Sequence, residues 1–186
     1  SRTTGHAAIA FQVTPAGVLT PLASFSGATG ANSASALVLG TNGLFYGTTE
    51  YGGNTSLNGA NAGFGTVFKM TSAGALTTLV SFGGTNGSYC ISSLVQGSDG
   101  NFYGTTAGGG WGWAVTGGGT VFRMTPTGVL ASLVSFNGAN GNSPQAPLLQ
   151  ANDGNLYGTT TYGGPNGGGT VFRVTPAGEL TTLVAF

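Results

Sequence analysis

The fold class that this sequence predicts is all-β: a β-propeller-like array of four-stranded antiparallel blades, with about three and a half repeats. Two sequence units recur along the chain, each contains a turn signal, and Val, Thr, Phe, Leu and Tyr dominate between the turns. Segments with apolar residues at helical spacing and helix caps are almost absent. We therefore expect residues 1–186 to form a single repeat array.

The first unit has the pattern of a β-hairpin and occurs four times. Its copies are GTVFKMTSAGALTTLVSF at 65–82, GTVFRMTPTGVLASLVSF at 119–136, GTVFRVTPAGELTTLVAF at 169–186 and a looser AIAFQVTPAGVLTPLASF at 8–25. A proline opens the turn in three copies and a glycine closes it in all four, which suits the φ angles of tight turns. The copies end at residues 25, 82, 136 and 186, so they are spaced by 57, 54 and 50 residues.

The second unit alternates with the first and also has the pattern of a hairpin. Its copies are LVLGTNGLFYGTT from Leu37, LVQGSDGNFYGTT from Leu94 and LLQANDGNLYGTT from Leu148. The central Asn-Gly or Asp-Gly supplies the positive φ angles of a tight hairpin turn. Two hairpins per repeat give a four-stranded antiparallel unit, which is typical of a propeller blade.

This alternation divides the chain into a half blade at 8–25 and three complete blades at 34–82, 91–136 and 144–186. Three and a half blades are fewer than the roughly four to eight of a closed ring. The array also ends on apolar Leu183–Phe186 and has no polar cap. We expect uncovered ends of this kind to join further chains, as a multi-chain ring or a filament. The alternative is that the sequence is a piece of a longer array.

The composition excludes several classes of partner. Four basic and four acidic residues make the chain 4% charged, so it lacks the basic cluster that nucleic-acid binding needs. No run of about 18 apolar residues is present, which argues against membrane insertion. One cysteine excludes an internal disulfide and a thiolate metal cluster, so we expect no metal and no cofactor. A single histidine, His6, and few carboxylates favour a protein that is not an enzyme.

The charged residues recur with the repeat. Arg123 and Arg173 occupy the same position of the first unit, and Asp99 and Asp153 occupy the turn of the second unit. In a meander of strands these two positions lie at the same end of a blade. We therefore predict structural ion pairs between Asp99 and Arg123 and between Asp153 and Arg173.

Aromatic residues in glycine-rich connections are the candidate ligand or interface residues. Trp111 and Trp113 lie in an insertion at 108–115, where they could stack on a sugar ring, anchor a neighbouring subunit or cover the core of their own blade. Tyr51 and Tyr162, each in a Tyr-Gly-Gly sequence, are similar candidates.

The runs GTVFRVTPAGELTTLVAF and QANDGNLYGTTTYGG resemble the GloVer-type tandem repeat of bacterial choice-of-anchor surface proteins, and the resemblance covers nearly the whole chain. It implies an exported protein of propeller-like architecture, located outside the cell or on the bacterial cell surface, and it implies no particular activity. The layout is also similar to quinoprotein-type propeller repeats, which implies that the DGN hairpin is the inner pair of each blade.

Together these observations favour a non-enzymatic extracellular structural repeat protein that self-assembles. Its expected partner is itself, because a net charge near zero provides little repulsion between copies. The alternative is a carbohydrate-binding propeller module that binds glycans through the aromatic loop. A third reading is an enzyme whose catalytic groups come from outside this chain.

Overall fold

The predicted all-β, propeller-like fold is confirmed by a computed structural model that describes residues 8–33, 35–54, 63–110 and 117–186. Its strands are β1 (Ile9–Val13), β2 (Leu19–Ser24), β3 (Val38–Leu39), β4 (Phe45–Thr49), β5 (Thr66–Met70), β6 (Leu76–Ser81), β7 (Val95–Gln96), β8 (Phe102–Thr106), β9 (Thr120–Met124), β10 (Leu130–Ser135), β11 (Leu149–Gln150), β12 (Leu156–Thr160), β13 (Thr170–Val174) and β14 (Leu180–Ala185). A short 3-10 helix spans Gly27–Thr29.

The strands form three four-stranded meanders and one hairpin. The sheet orders are β3-β4-β5-β6, β7-β8-β9-β10 and β11-β12-β13-β14, and β1 pairs with β2 alone. The pairings between these strands are antiparallel, and each four-stranded sheet joins one DGN-type hairpin to the GTVF-type hairpin that follows it. We call these sheets the first, second and third blades, and we call β1–β2 the N-terminal hairpin. Following the order expected from the sequence, we call each DGN-type hairpin an inner hairpin and each GTVF-type hairpin, β1–β2 included, an outer hairpin.

Glycine at the turn of each inner hairpin is required by backbone conformation. Gly43, Gly100 and Gly154 have φ angles of 77°, 79° and 79°, which residues with a Cβ atom rarely adopt. The Asp99 side chain also accepts a hydrogen bond from the Asn101 amide (3.1 Å), which closes the turn. The Asn-Gly and Asp-Gly signals therefore form the turns that the sequence predicts.

The core lies between neighbouring blades, where one phenylalanine pair recurs. The phenylalanine that ends each outer hairpin contacts the phenylalanine of the GTVF strand in the next blade. The ring centroids are 4.8 Å apart for Phe25–Phe68, 5.5 Å for Phe82–Phe122 and 5.2 Å for Phe136–Phe172. All six rings are almost completely buried. We call these three contacts the interblade phenylalanine pairs.

Polar contacts within and between blades accompany this apolar packing. Buried threonine hydroxyls pair across the two central strands, as in Thr106–Thr120 at 2.8 Å. The hydroxyl of Thr48 donates to the Ser92 carbonyl of the second blade (3.0 Å), and the Ser98 amide donates to Gln150 of the third (2.8 Å). Hydroxyls and amides thus satisfy buried polar groups in a chain that has few charges.

A glycine in each inner strand provides the space for the GTVF phenylalanine. A Cβ atom at Gly104 would lie 2.6 Å from Cζ of Phe122 and 2.9 Å from Cδ2 of Leu94. Gly47 and Gly158 face Phe68 and Phe172 in the same way. Because Gly104 is not at a positive φ, packing alone explains the need for glycine there.

We expect Gly104→Ala to lower the free energy of unfolding by about 1–3 kcal/mol, because the added methyl group overpacks the Phe122 ring. Urea unfolding would measure this loss. Phe122→Leu frees space beside the new methyl group, so the double variant should lose less stability than the sum of the two single variants. Strictly additive losses would contradict this explanation.

Candidate functional site

The turn of each inner hairpin holds a small polar cluster. In the second blade, the Asp99 carboxylate accepts hydrogen bonds from the Tyr103 hydroxyl (2.8 Å) and the Asn101 side-chain amide (2.7 Å). In the third blade, Asp153 has the same contacts with Tyr157 and Asn155, both at 2.8 Å. The spacing of four residues between aspartate and tyrosine brings the hydroxyl back over the turn.

In this geometry a tyrosine hydroxyl donates to each aspartate, and the ion pairs of Asp99 with Arg123 and of Asp153 with Arg173 stay predictions. Arg123 is directly opposite Tyr103, and Arg173 is directly opposite Tyr157, on the neighbouring strand. Arg173 donates to the Thr181 hydroxyl (3.2 Å) and influences Asp153 only through space, as the smallest cause that lowers the pKa of that carboxyl. The tyrosine of each cluster therefore contacts the aspartate of its own turn and lies opposite the arginine of the neighbouring strand.

Hydrogen bonding determines the direction of the aspartate pKa shift. Partial desolvation raises the pKa of Asp99, but hydrogen bonds from Asn101 and Tyr103 outweigh it, so the pKa falls below its usual value of 3.8. Burial and then the Asp99 charge raise the pKa of Tyr103 to about 12. The cluster is therefore a neutral hydroxyl donating to an ionised carboxylate across the neutral pH range.

Reactive and metal-binding groups are scarce in the described part of the chain. Cys90 is buried, its thiol donates to the Thr105 carbonyl (3.2 Å), and desolvation raises its pKa to about 12. Within the described ranges, no three side chains among His, Cys, Asp and Glu lie close enough together to hold a metal ion. No helix in those ranges is both long and apolar enough to cross a bilayer.

The aromatic candidates fall into two groups. Trp111 and Trp113 lie outside the described residues, so a sugar platform, a subunit anchor and a core lid all stay predictions for that loop. Tyr51 and Tyr162 occupy equivalent positions in the first and third blades, where each forms an isolated antiparallel bridge with a residue of the segment before its blade, Ala31 and Asn142. Tyr162 is 60% exposed, whereas Tyr51 is half-buried against Tyr89, with ring centroids 5.7 Å apart.

The two ends of the described array expose residues whose repeat equivalents are buried. Phe186 is 62% exposed, whereas Phe82 and Phe136 at the same repeat position are fully buried. Phe11 is 55% exposed, although its equivalents in the three GTVF strands are fully buried. We call the apolar surface around Phe186, which includes Val184, the C-terminal end surface. We call the surface around Phe11, which includes Ile9 and Val13, the N-terminal end surface.

The N-terminal end surface also borders an incomplete blade. Strand β1 pairs only with β2, whereas β5, β9 and β13 each have strand partners on both sides. Cavities of about 220 and 420 Å³ lie beside β1, and Phe11 and Leu37 line both of them. In this part of the structure the outer hairpin is present without the inner hairpin that accompanies it in each complete blade.

Comparisons with known proteins agree with the architecture. A protein assigned as a gluconolactonase is similar at 16% identity and a TM-score of 0.57, over 92% of this chain and 54% of that protein. The tricorn protease is similar at 12% identity and a TM-score of 0.53, over 100% of this chain and 17% of that protein. A gluconolactonase from Xanthomonas campestris has 14% identity and a TM-score of 0.45, over 78% of this chain and 44% of that protein.

The chain therefore spans about half the length of the two gluconolactonases. At such low identity, the likeness shows the fold alone. No curated protein sequence matches the chain. The family model described as the Gloeobacter/Verrucomicrobia repeat matches residues 2–186, which confirms the resemblance inferred from the repeated motifs.

The tyrosine–aspartate contact should make stability depend on pH. A depressed aspartate pKa contributes stability above the usual value of 3.8, and this contribution is lost as pH falls through the lower folded value. We expect Tyr103→Phe to cost about 1 kcal/mol at neutral pH, because one hydrogen bond is lost, and less at an acidic pH low enough to protonate Asp99.

Urea unfolding at the two pH values would measure this difference. Tyr157→Phe is the matched control, with a smaller expected effect, because its hydrogen bond to Asp153 is exposed. An equal loss for Tyr103→Phe at both pH values would show that the hydroxyl does not act through the aspartate charge.

Proposed function

This chain belongs to the Gloeobacter/Verrucomicrobia repeat family, and we propose that it is an extracellular, non-enzymatic structural protein that associates with copies of itself through its two end surfaces. That it is a repeat protein with a propeller fold is established by the family match and the strand topology. The location outside the cell is proposed from the surface-protein resemblance of the repeat. Self-association is proposed from the surfaces described above.

The observation that carries the proposal is the complementarity of the two ends. Each interblade phenylalanine pair joins the end of one outer hairpin to the GTVF-type strand of the next blade. Among the described residues, Phe186 is an outer-hairpin phenylalanine with no such neighbour, and Phe11 is a strand phenylalanine with no outer-hairpin phenylalanine beside it. Packing Phe186 of one copy on Phe11 of another would repeat a contact that the chain already makes three times.

The energetics favour this contact. Burying an exposed Phe or Val side chain contributes roughly 1.5–3 kcal/mol, and several such residues lie at each end. None of the side chains that define the two end surfaces is charged, so no ionised side chain would be desolvated when they meet. Part of this burial free energy offsets the entropy that is lost when two copies associate. The affinity therefore depends on the number of apolar residues buried at each end as well as on the central phenylalanine pair.

Such a contact is heterologous, because each copy would use two different surfaces. Heterologous contacts close into a ring when the rotation between copies permits it, and otherwise continue as a filament. Both forms leave the inner-hairpin position beside β1 open to further chain.

Complementary single substitutions test the proposal. We expect the native chain to form dimers and larger species in sedimentation velocity, and rings or filaments in electron micrographs. Phe186→Asp and Phe11→Asp should each be monomeric, because each places a carboxylate in the apolar contact. An equimolar mixture of the two variants should form a 1:1 dimer and nothing larger, since it retains one intact pair of surfaces.

The control is Val129→Asp, at a turn residue that is 68% exposed and outside both end surfaces, and it should assemble like the native chain. A native chain that stays monomeric would contradict the proposal. A mixture of the two variants that stays monomeric would contradict the head-to-tail pairing.

A further inference from the structure

A pocket of about 300 Å³ lies where residues of all three blades meet, away from the two end surfaces. The first blade contributes Glu50 and Tyr51, the segment leading into the second contributes Tyr89, and the segment leading into the third contributes Ser143 and Gln145. The volume lies near the lower limit of small-molecule sites, which are usually about 300–1,000 Å³. The proposed self-association does not use this pocket.

The pocket is formed where the repeats differ from one another. The strand pairings align Glu50 with Ala107 and Thr161 in the other blades, and Tyr89 with Asn32 and Ser143. The backbone at the second position is nonetheless the same, with φ angles of 55°, 58° and 57° at Asn32, Tyr89 and Ser143.

A tyrosine at such a φ is unusual, whereas asparagine is enriched there. The fold therefore requires this backbone conformation but neither a tyrosine at 89 nor a glutamate at 50. Two residues that the repeat does not require therefore lie together in one pocket.

The Glu50 carboxylate carries a charge that no described cation compensates locally. It accepts a hydrogen bond from the Asn32 side-chain amide, a neutral donor. The described cations Lys69, Arg123 and Arg173 lie opposite Tyr46, Tyr103 and Tyr157, at the other end of the inner strands. Glu50 lies four positions along the chain from Tyr46, so their backbones are about 13 Å apart along the strand direction.

Aromatic rings line the pocket beside this carboxylate. The ring planes of Tyr51 and Tyr89 lie at 71° to each other. The ring centroid of Phe64 lies 6.2 Å from that of Tyr89, and this contact holds the Tyr89 ring in place. Partial burial and then the Glu50 carboxylate raise the pKa of Tyr51, so its ring stays neutral. Gln145 donates to the Ser143 hydroxyl (3.1 Å), which leaves the carbonyl oxygen of the same amide able to accept.

We propose that this pocket binds a small organic ammonium cation. The positive group would lie against the Glu50 carboxylate and the faces of Tyr51 and Tyr89, and Gln145 would accept a hydrogen bond from the ligand at the rim. A carboxylate and aromatic faces both attract a cation, and the attraction to a ring increases as the cation is desolvated. A neutral sugar could stack on the same rings but would leave the carboxylate charge uncompensated.

Titration calorimetry at low ionic strength tests the proposal with a pair of matched probes. Choline carries the cation, and 3,3-dimethyl-1-butanol has the same shape without the charge. We expect saturable 1:1 binding of choline and affinity for the neutral alcohol weaker by about tenfold or more. A methyl glucoside tests the alternative ligand class.

Three variants assign the binding to this pocket. Glu50→Gln keeps the shape and removes the charge, and it should weaken choline binding by about tenfold. Tyr89→Ser introduces the residue that the chain already carries at 143 with the same φ, so it should fold normally and bind choline several-fold more weakly. Glu179→Gln removes an exposed carboxylate outside the pocket and should leave binding unchanged.

Circular dichroism and the unfolding temperature would establish that each variant is folded. Equal affinity for choline and the neutral alcohol, or choline binding that survives Glu50→Gln, overturns the proposal. Binding of the glucoside in place of choline overturns it in favour of a sugar site. Absence of saturable binding of any probe also overturns it.

Discussion

The contact on which this structure depends is the pairing of two phenylalanines across each blade boundary. One ring comes from the end of an outer hairpin and the other from the GTVF-type strand of the next blade, and both are buried. A single four-stranded sheet could not cover these rings by itself, because they lie on the face that the next sheet occupies. The stability of each blade is therefore linked to that of its neighbours, as expected for repeat arrays.

The glycine-rich composition follows from the same packing. Gly47, Gly104 and Gly158 leave room for the phenylalanine rings, and glycines at the hairpin turns permit positive φ angles. The low charge content follows as well, because the blade faces inside the array are covered by neighbouring blades, and polar groups there are satisfied by hydroxyls and amides. Tyr103 and Tyr157 show such a contact, since each hydroxyl group donates to an aspartate of its own turn.

The two end surfaces and the ammonium pocket are separate consequences of one repeated architecture. The end surfaces consist of residues that every repeat shares, exposed because no further blade covers them among the described residues. The pocket consists of residues that the repeats do not share, so its chemistry belongs to this chain and not to the fold. A defect in assembly and a defect in ligand binding should therefore be separable by mutation.

The sequence by itself determined the hairpins, their turns, the four-stranded blades and the all-β class, because each depends on residues close together in the chain. It also placed Asp99 and Arg123 at one end of a blade, but only the tertiary structure decided that Tyr103 lies between them, since this depends on side-chain reach across strands.

The pocket was missed for a related reason. Glu50 and Tyr89 are far apart in sequence, and the contact between blades decides that they meet. The available signal was that both depart from the repeat consensus at aligned positions. Local sequence therefore determined the elements of this protein, whereas the packing of blade on blade decided which side chains meet, because contacts between blades depend on how the sheets stack and not on neighbouring residues.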